Sequence, residues 1–134
     1  MGLEAKSNAH NKHALAVHLI WVVKYRRSVL THEIGDRVKA IVLEVATEIG
    51  CEIISIETDV DHVHVIVRLK PTHTVSDVVK RFKGRSARYI FKEFPEIKRR
   101  LWGGHLWQPS YYAATVGGAP LETLKKYVEN QRAK

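Results

Sequence analysis

His62 and His64 flank Val63 in the run DHVHVIV. Imidazole nitrogens bind divalent cations, and on an extended strand residues i and i+2 stand on one face about 6 to 7 Å apart, within reach of a single ion. The pair reads either as a metal site or as two half-exposed surface histidines. Tyr127 and Gln131 form a second pair. Their spacing of four puts them on one side of a helix, beside the apolar stripe Leu121, Leu124 and Val128. That edge suits a boundary tyrosine with a buried ring and a wet hydroxyl, or a phenol positioned to act. The third feature is the stretch KRFKGRSARYIFKEFPEIKRR from Lys80 to Arg100, with nine Lys or Arg against two Glu and four aromatic rings interleaved. It is either a solvated helix face with core aromatics or a surface that tracks phosphates and stacks on bases.

The elements around these residues can be read from periodicity. The run from His13 to Val23 is dense in apolar and β-branched residues and predicts a buried strand, with Lys24, Tyr25, Arg26 and Arg27 marking its exit. Ile34, Val38, Ile41, Val42, Val45 and Ile49 recur at helical steps, and Gly50 follows as a C-cap. Cys51 to Thr58 and His62 to Leu69 read as a hairpin around Asp59-Val60-Asp61. In its second strand Val63, Val65, Val67 and Leu69 share one face; His62, His64, Ile66 and Arg68 share the other. A second helix follows Pro71, with Thr74 and Asp77 spaced as a capping box, and stops at Pro95. After an irregular Trp- and Gly-rich stretch come a short strand, Tyr111 to Val116, a Gly117-Gly118 turn and a last helix opening at Pro120. The order β-α-β-β-α-β plus a helix predicts an α+β, ferredoxin-like split βαβ with an antiparallel sheet. Both helices then cover one face, and the histidines project onto an open one.

Length and composition narrow the choices. The 134 residues allow one core, read as a mobile lead-in over 1–12 and a single domain over 13–134. With 45 % hydrophobic and 27 % charged residues the chain should fold, and its net charge of +8 makes a polyanion the first partner to test. The single Cys51 excludes a disulfide framework and a cysteine-based zinc finger. No apolar run reaches the roughly 18 residues of a membrane span, and Met1 to Lys12 holds no signal-peptide core; the expectation is a cytoplasmic protein with no membrane partner. A Walker-type loop and a strand-borne G-x-G-x-x-G are both missing, so no nucleotide cofactor is expected. An RNA-recognition module would share the topology but would carry stacking aromatics where this strand has histidines.

Taken together, LIWVVKYRRSVL, DHVHVIV, VSDVVKRFKGRSARYIFKEFP, LWQPSYYAATVG and YVENQ, in this order and spacing, resemble the single-tyrosine HUH transposases of the insertion-sequence 200/605 type. The resemblance runs from about His18 onward. It implies that Tyr127, on the extra C-terminal helix, attacks a DNA phosphodiester to leave a 5′-phosphotyrosine and a free 3′-hydroxyl. It also implies that His62, His64 and Gln131 hold a divalent cation, Mg²⁺ or Mn²⁺, with Asp59 as a further oxygen ligand. The substrates would be single-stranded DNA hairpins at the ends of an element, and the protein a homodimer, with Gly117-Gly118 as a hinge before the tyrosine helix.

Elementary chemistry agrees with those roles. A phenol is mostly protonated at neutral pH, so it needs help losing its proton and a phosphate made more electrophilic. A cation with open positions supplies the latter, and two imidazoles plus an amide add no negative charge to oppose the phosphate. Imidazole ligation favours Zn²⁺, Ni²⁺ or Mn²⁺ over Mg²⁺, which leaves the native metal open. The basic side chains assigned to DNA are Lys24, Arg26 and Arg27 after the first strand and Lys80, Lys83, Arg85 and Arg88 on the second helix. Two other readings use the same fold: an HUH enzyme processing chromosomal repeats, and a non-catalytic single-strand-binding module.

Overall fold

The computed structural model describes residues 15–102 and 104–117. Four strands, β1 (Leu15–Val22), β2 (Glu52–Asp59), β3 (His62–Leu69) and β4 (Tyr112–Gly117), form one sheet in the order β2-β3-β1-β4. Neighbours are antiparallel throughout, with β1 and β3 at the centre as the split βαβ order requires. Strand ends differ from the sequence expectation by a residue or two. The helix expected from Pro120 and the lead-in over 1–12 lie outside the described residues.

Helix α1 (His32–Ile49) ends at Gly50, whose φ of 81° is the left-handed cap conformation open to glycine. Helix α2 (Val75–Glu93) begins at Thr74, whose hydroxyl accepts a hydrogen bond from the Asp77 amide at 3.2 Å. Ile34, Val38, Ile41, Val42 and Val45 of α1 and Val78, Val79, Phe82 and Ile90 of α2 are buried against Val17, Leu19, Trp21, Val63, Val65 and Val67. At roughly 1.5–3 kcal/mol per fully buried large apolar side chain, this layer supplies most of the driving force for folding.

Two expectations are corrected. Pro95 stops α2 but also opens a further short helix, α3 (Pro95–Arg100), because a proline at the first helical position loses no needed hydrogen bond. The face away from the helices is also less open than the alternation implies. Ala16, Ile54 and Ile66 form an apolar cluster there, with Val116 packed against it. Register shifts at Ile53/Ser55 and Ala16/Val17 set an extra residue into each edge strand, and such bulges increase twist and curl a sheet over itself.

Candidate functional site

The histidine strand owes its orientation to its valines. Val63, Val65 and Val67 are fully buried under the helices, so the side-chain period of two sends His62 and His64 to the opposite face. Their ring centroids lie 4.6 Å apart with planes inclined at 68°. Asp59 of β2 pairs with His62 and Glu57 with His64 in the ladder, which brings both carboxylates to the histidine face. Asp59 is exposed, and its Oδ1 accepts a hydrogen bond from the Val60 amide at 2.8 Å. Among the described residues no three of His, Cys, Asp and Glu converge as a metal-binding group. Tyr127 and Gln131 lie outside the described residues.

Three residues around the pair are not singled out by the sequence reading. His18 of β1 is 1 % exposed and stacks on His64, with centroids 5.7 Å apart and planes at 21°. The Tyr112 ring meets His18 edge-on at 6.1 Å. Burial holds the His18 pKa below the ordinary imidazole value, so at neutral pH its ring is a neutral packing partner for His64. Asp61, read from the sequence only as turn chemistry, accepts a hydrogen bond at Oδ1 from Nδ1 of His62 at 2.6 Å. Its Oδ2 accepts another from Arg26 Nε at 3.3 Å. Burial pushes the Asp61 carboxyl up, but the His62 hydrogen bond and the nearby His62 and Arg26 charges outweigh it and hold the group below its usual value. An ionised carboxylate only accepts, so His62 Nδ1 carries a hydrogen, and in the neutral form of the ring Nε2 keeps the lone pair a ligand needs. Antiparallel pairing of β1 with β3 is the signal that would have found His18, since it sets that residue opposite Ile66 on the histidine face.

The basic residues fall into two groups on different parts of the molecule. Lys24, Arg26 and Arg27 occupy the turn after β1, beside the start of β3, because Val22 pairs with His62. Lys80, Lys83, Arg85 and Arg88 lie on α2, in the layer across the sheet from the histidines. Within that group the environments differ. Arg85 forks onto Glu48 of α1 at 2.8 and 3.1 Å. Lys83 donates to the carbonyls of Gln108, Pro109 and Ser110 at 2.6, 3.2 and 3.1 Å, and burial lowers its pKa. Lys80 and Arg88 are exposed. Both line a cleft of about 540 Å³ between α2 and residues 104–111, together with Phe91 and Trp107.

Comparison with known proteins gives a consistent picture. Residues 11–131 match the family described as Transposase IS200 like. The ISDra2 transposase TnpA of Deinococcus radiodurans is 42 % identical over 132 residues, covering 98 % of this chain and 94 % of its own. The transposase for insertion sequence element IS200 of Salmonella typhimurium is 26 % identical over 128 residues, covering 96 % of this chain and 84 % of its own. A crystal structure from Deinococcus radiodurans, 42 % identical, superposes with a TM-score of 0.73 over 88 % of this chain and 91 % of that one. A REP-associated tyrosine transposase bound to a REP hairpin shares the fold at 16 % identity, with a TM-score of 0.61 over 85 % of this chain and 62 % of that one. No helix among the described residues is long and apolar enough to cross a membrane.

Proposed function

The chain belongs to the IS200-like transposases, and from that membership we propose that it cleaves and rejoins single-stranded DNA at hairpin-marked element ends through a 5′-phosphotyrosine on Tyr127. The observation that carries the reading is the His62–His64 pair, with both rings on one face and Nε2 of His62 left for a ligand by the Asp61 hydrogen bond. This donor set fits a divalent cation. Two neutral imidazoles and the amide of Gln131 would hold Mg²⁺ or Mn²⁺ and leave coordination positions for phosphate oxygens. When bound, the cation neutralises charge on the non-bridging oxygens and makes phosphorus more electrophilic.

The remaining chemistry belongs to the chain. The Tyr127 hydroxyl gives up its proton to solvent or a substrate oxygen and its oxygen bonds to phosphorus, while the P–O3′ bond breaks and the 3′-oxygen leaves as a hydroxyl. One ester replaces another, so the bond energy is retained and a second 3′-hydroxyl can reverse the step on a new strand without a nucleotide cofactor. Single strands reach the site by charge. Lys24 and Arg27 stand beside the histidines, and Lys80 and Arg88 offer phosphate contacts across the molecule. The hairpin held by the structural neighbour supports a hairpin partner here, and 42 % identity to an insertion-sequence transposase favours mobile-element ends over chromosomal repeats. Each chain supplies one Tyr127 and two strand ends must be cut, so the working form in this reading is a homodimer.

The test is a hairpin oligonucleotide with a single-stranded flank, incubated with Mn²⁺. Wild-type protein should give cleaved strand and a covalent protein–DNA band, while Tyr127→Phe binds the oligonucleotide and gives neither. Survival of both products in Tyr127→Phe would overturn the assignment of the nucleophile.

A further inference from the structure

The turn that follows β1 has an unusual backbone for its residues. Tyr25 and Arg26 have φ of 59° and 52°, two successive non-glycine residues in the left-handed region. Such a residue is strained by its Cβ and persists only where surrounding contacts enforce it. Those contacts are present on both sides. The Val23 amide donates to the Asp61 carbonyl at 2.9 Å, the Leu30 amide to the Val60 carbonyl at 2.8 Å, and the Lys24 amide to the Leu106 carbonyl at 2.8 Å. The turn is thus stapled by its main chain to the β2–β3 hairpin, at the two residues that precede His62.

The side chains show what this arrangement delivers. Arg26 reaches back across the staple to Oδ2 of Asp61, whose Oδ1 meets Nδ1 of His62. With one oxygen on each partner, the carboxylate plane has little freedom to rotate, and the imidazole is fixed in both orientation and tautomer. We propose that Asp61 is a positioning residue for His62, and that the strained Tyr25–Arg26 turn holds Asp61 in place so that Nε2 of His62 faces the same space as the His64 ring. This rests on the reading that His62 and His64 take a divalent cation, for which a ligating histidine commonly donates its other nitrogen to a carboxylate. The alternative is an ion-pair patch that adds a little stability at the surface and leaves the ring indifferent to it.

Two measurements separate these possibilities. Long-range ¹H–¹⁵N spectra of the metal-free protein at about pH 8, above the ordinary imidazole pKa, report which nitrogen of His62 carries hydrogen. The Nδ1–H form is expected in the wild type, and a shift toward Nε2–H in Asp61→Ala. Asp61→Asn, whose carbonyl can still accept from Nδ1–H, should keep the wild-type tautomer. Calorimetry with Mn²⁺ should then show a loss of about 10- to 100-fold in affinity for Asp61→Ala. A smaller loss is expected for Arg26→Gly, which removes the guanidinium but suits the left-handed backbone. An Nε2–H form in the wild type, or unchanged tautomer and affinity in Asp61→Ala, would overturn the proposal. Should Asp61→Ala fail to fold, the wild-type spectrum and Arg26→Gly still decide it. Failure of the underlying cation reading looks different: His62→Ala would then bind Mn²⁺ as well as the wild type, while the tautomer result would stand on its own.

Discussion

The two faces of β3 are built from the same eight residues and do different work. On one, Val63, Val65 and Val67 vanish under α1 and α2 into a layer that is apolar throughout. On the other, His62 meets Asp61, His64 stacks on His18 and Tyr112 meets His18 edge-on, with only a small apolar cluster beside them. The difference teaches that stability and chemistry are separated by the side-chain period of a strand, so that adjacent positions should answer to different measurements.

The strongest attack on that separation is Trp21→Ala. Trp21 is fully buried against Phe82 and Trp107, at 6.1 and 6.0 Å between ring centroids. Its loss should cost about 3–5 kcal/mol in urea unfolding. Mn²⁺ provides the converse. At about 100 times its dissociation constant a cation bound only by the folded state adds roughly 2.7 kcal/mol. That increment should persist in Trp21→Ala, if enough folded protein remains to titrate, and vanish in His64→Ala. A Trp21→Ala protein that unfolds no more easily than wild type, or a His64→Ala protein still stabilised by Mn²⁺, would erase the distinction between the faces.

A smaller effect tests how tightly the helical layer sits on the sheet. A Cβ at Gly35 would stand 2.8 Å from Oγ1 of Thr58, where α1 crosses β2. Alanine is the better helix former by about 1 kcal/mol, but crowding a stiff β-branched side chain costs about 1–3 kcal/mol, so Gly35→Ala should destabilise on balance. Removing the obstacle should reverse the sign: Gly35→Ala with Thr58→Ala is expected to be more stable than Thr58→Ala alone. Additive behaviour of the two substitutions would mean that the contact is not what holds the position to glycine.

What could be read in advance follows the same division. The element order and the strict alternation of β3 are local patterns, and they sufficed for the sheet order and for the side on which the histidines emerge. The supports of the histidines are not local. Arg26 and Asp61 are separated by 35 residues, and the left-handed turn that joins them contains neither Gly nor Asn to announce it. Pro95 was legible as an end and not as a beginning, because the same fixed φ serves both. The bulges that turn Ile54 and Val116 onto the apolar cluster arise from pairing register, which no single strand encodes. Tyr127 and Gln131 were legible only through their spacing and the family resemblance, and they lie outside the described residues.

The helical layer offers the finest test, since it carries basic residues that composition alone treats as equivalent. Geometry divides them. Lys80 and Arg88 are exposed beside the cleft, whereas Arg85 is already matched by the two oxygens of Glu48. A cation that neutralises a phosphate releases counterions, and each such contact adds about 0.7 to the slope of log affinity against log salt on single strands. Lys80→Ala and Arg88→Ala should therefore each flatten the slope by about that amount. Arg85→Ala alone would be ambiguous, because it strands the Glu48 carboxylate in the field of the DNA. Arg85→Ala combined with Glu48→Ala keeps the net charge and removes the pair as a unit, and it should leave both slope and affinity unchanged. A slope flattened by about 0.7 in that double variant would mean that Arg85 abandons Glu48 for phosphate on binding. The helical layer would then share the chemistry that its apolar face, packed against the valines of β3, leaves to the other side of the sheet.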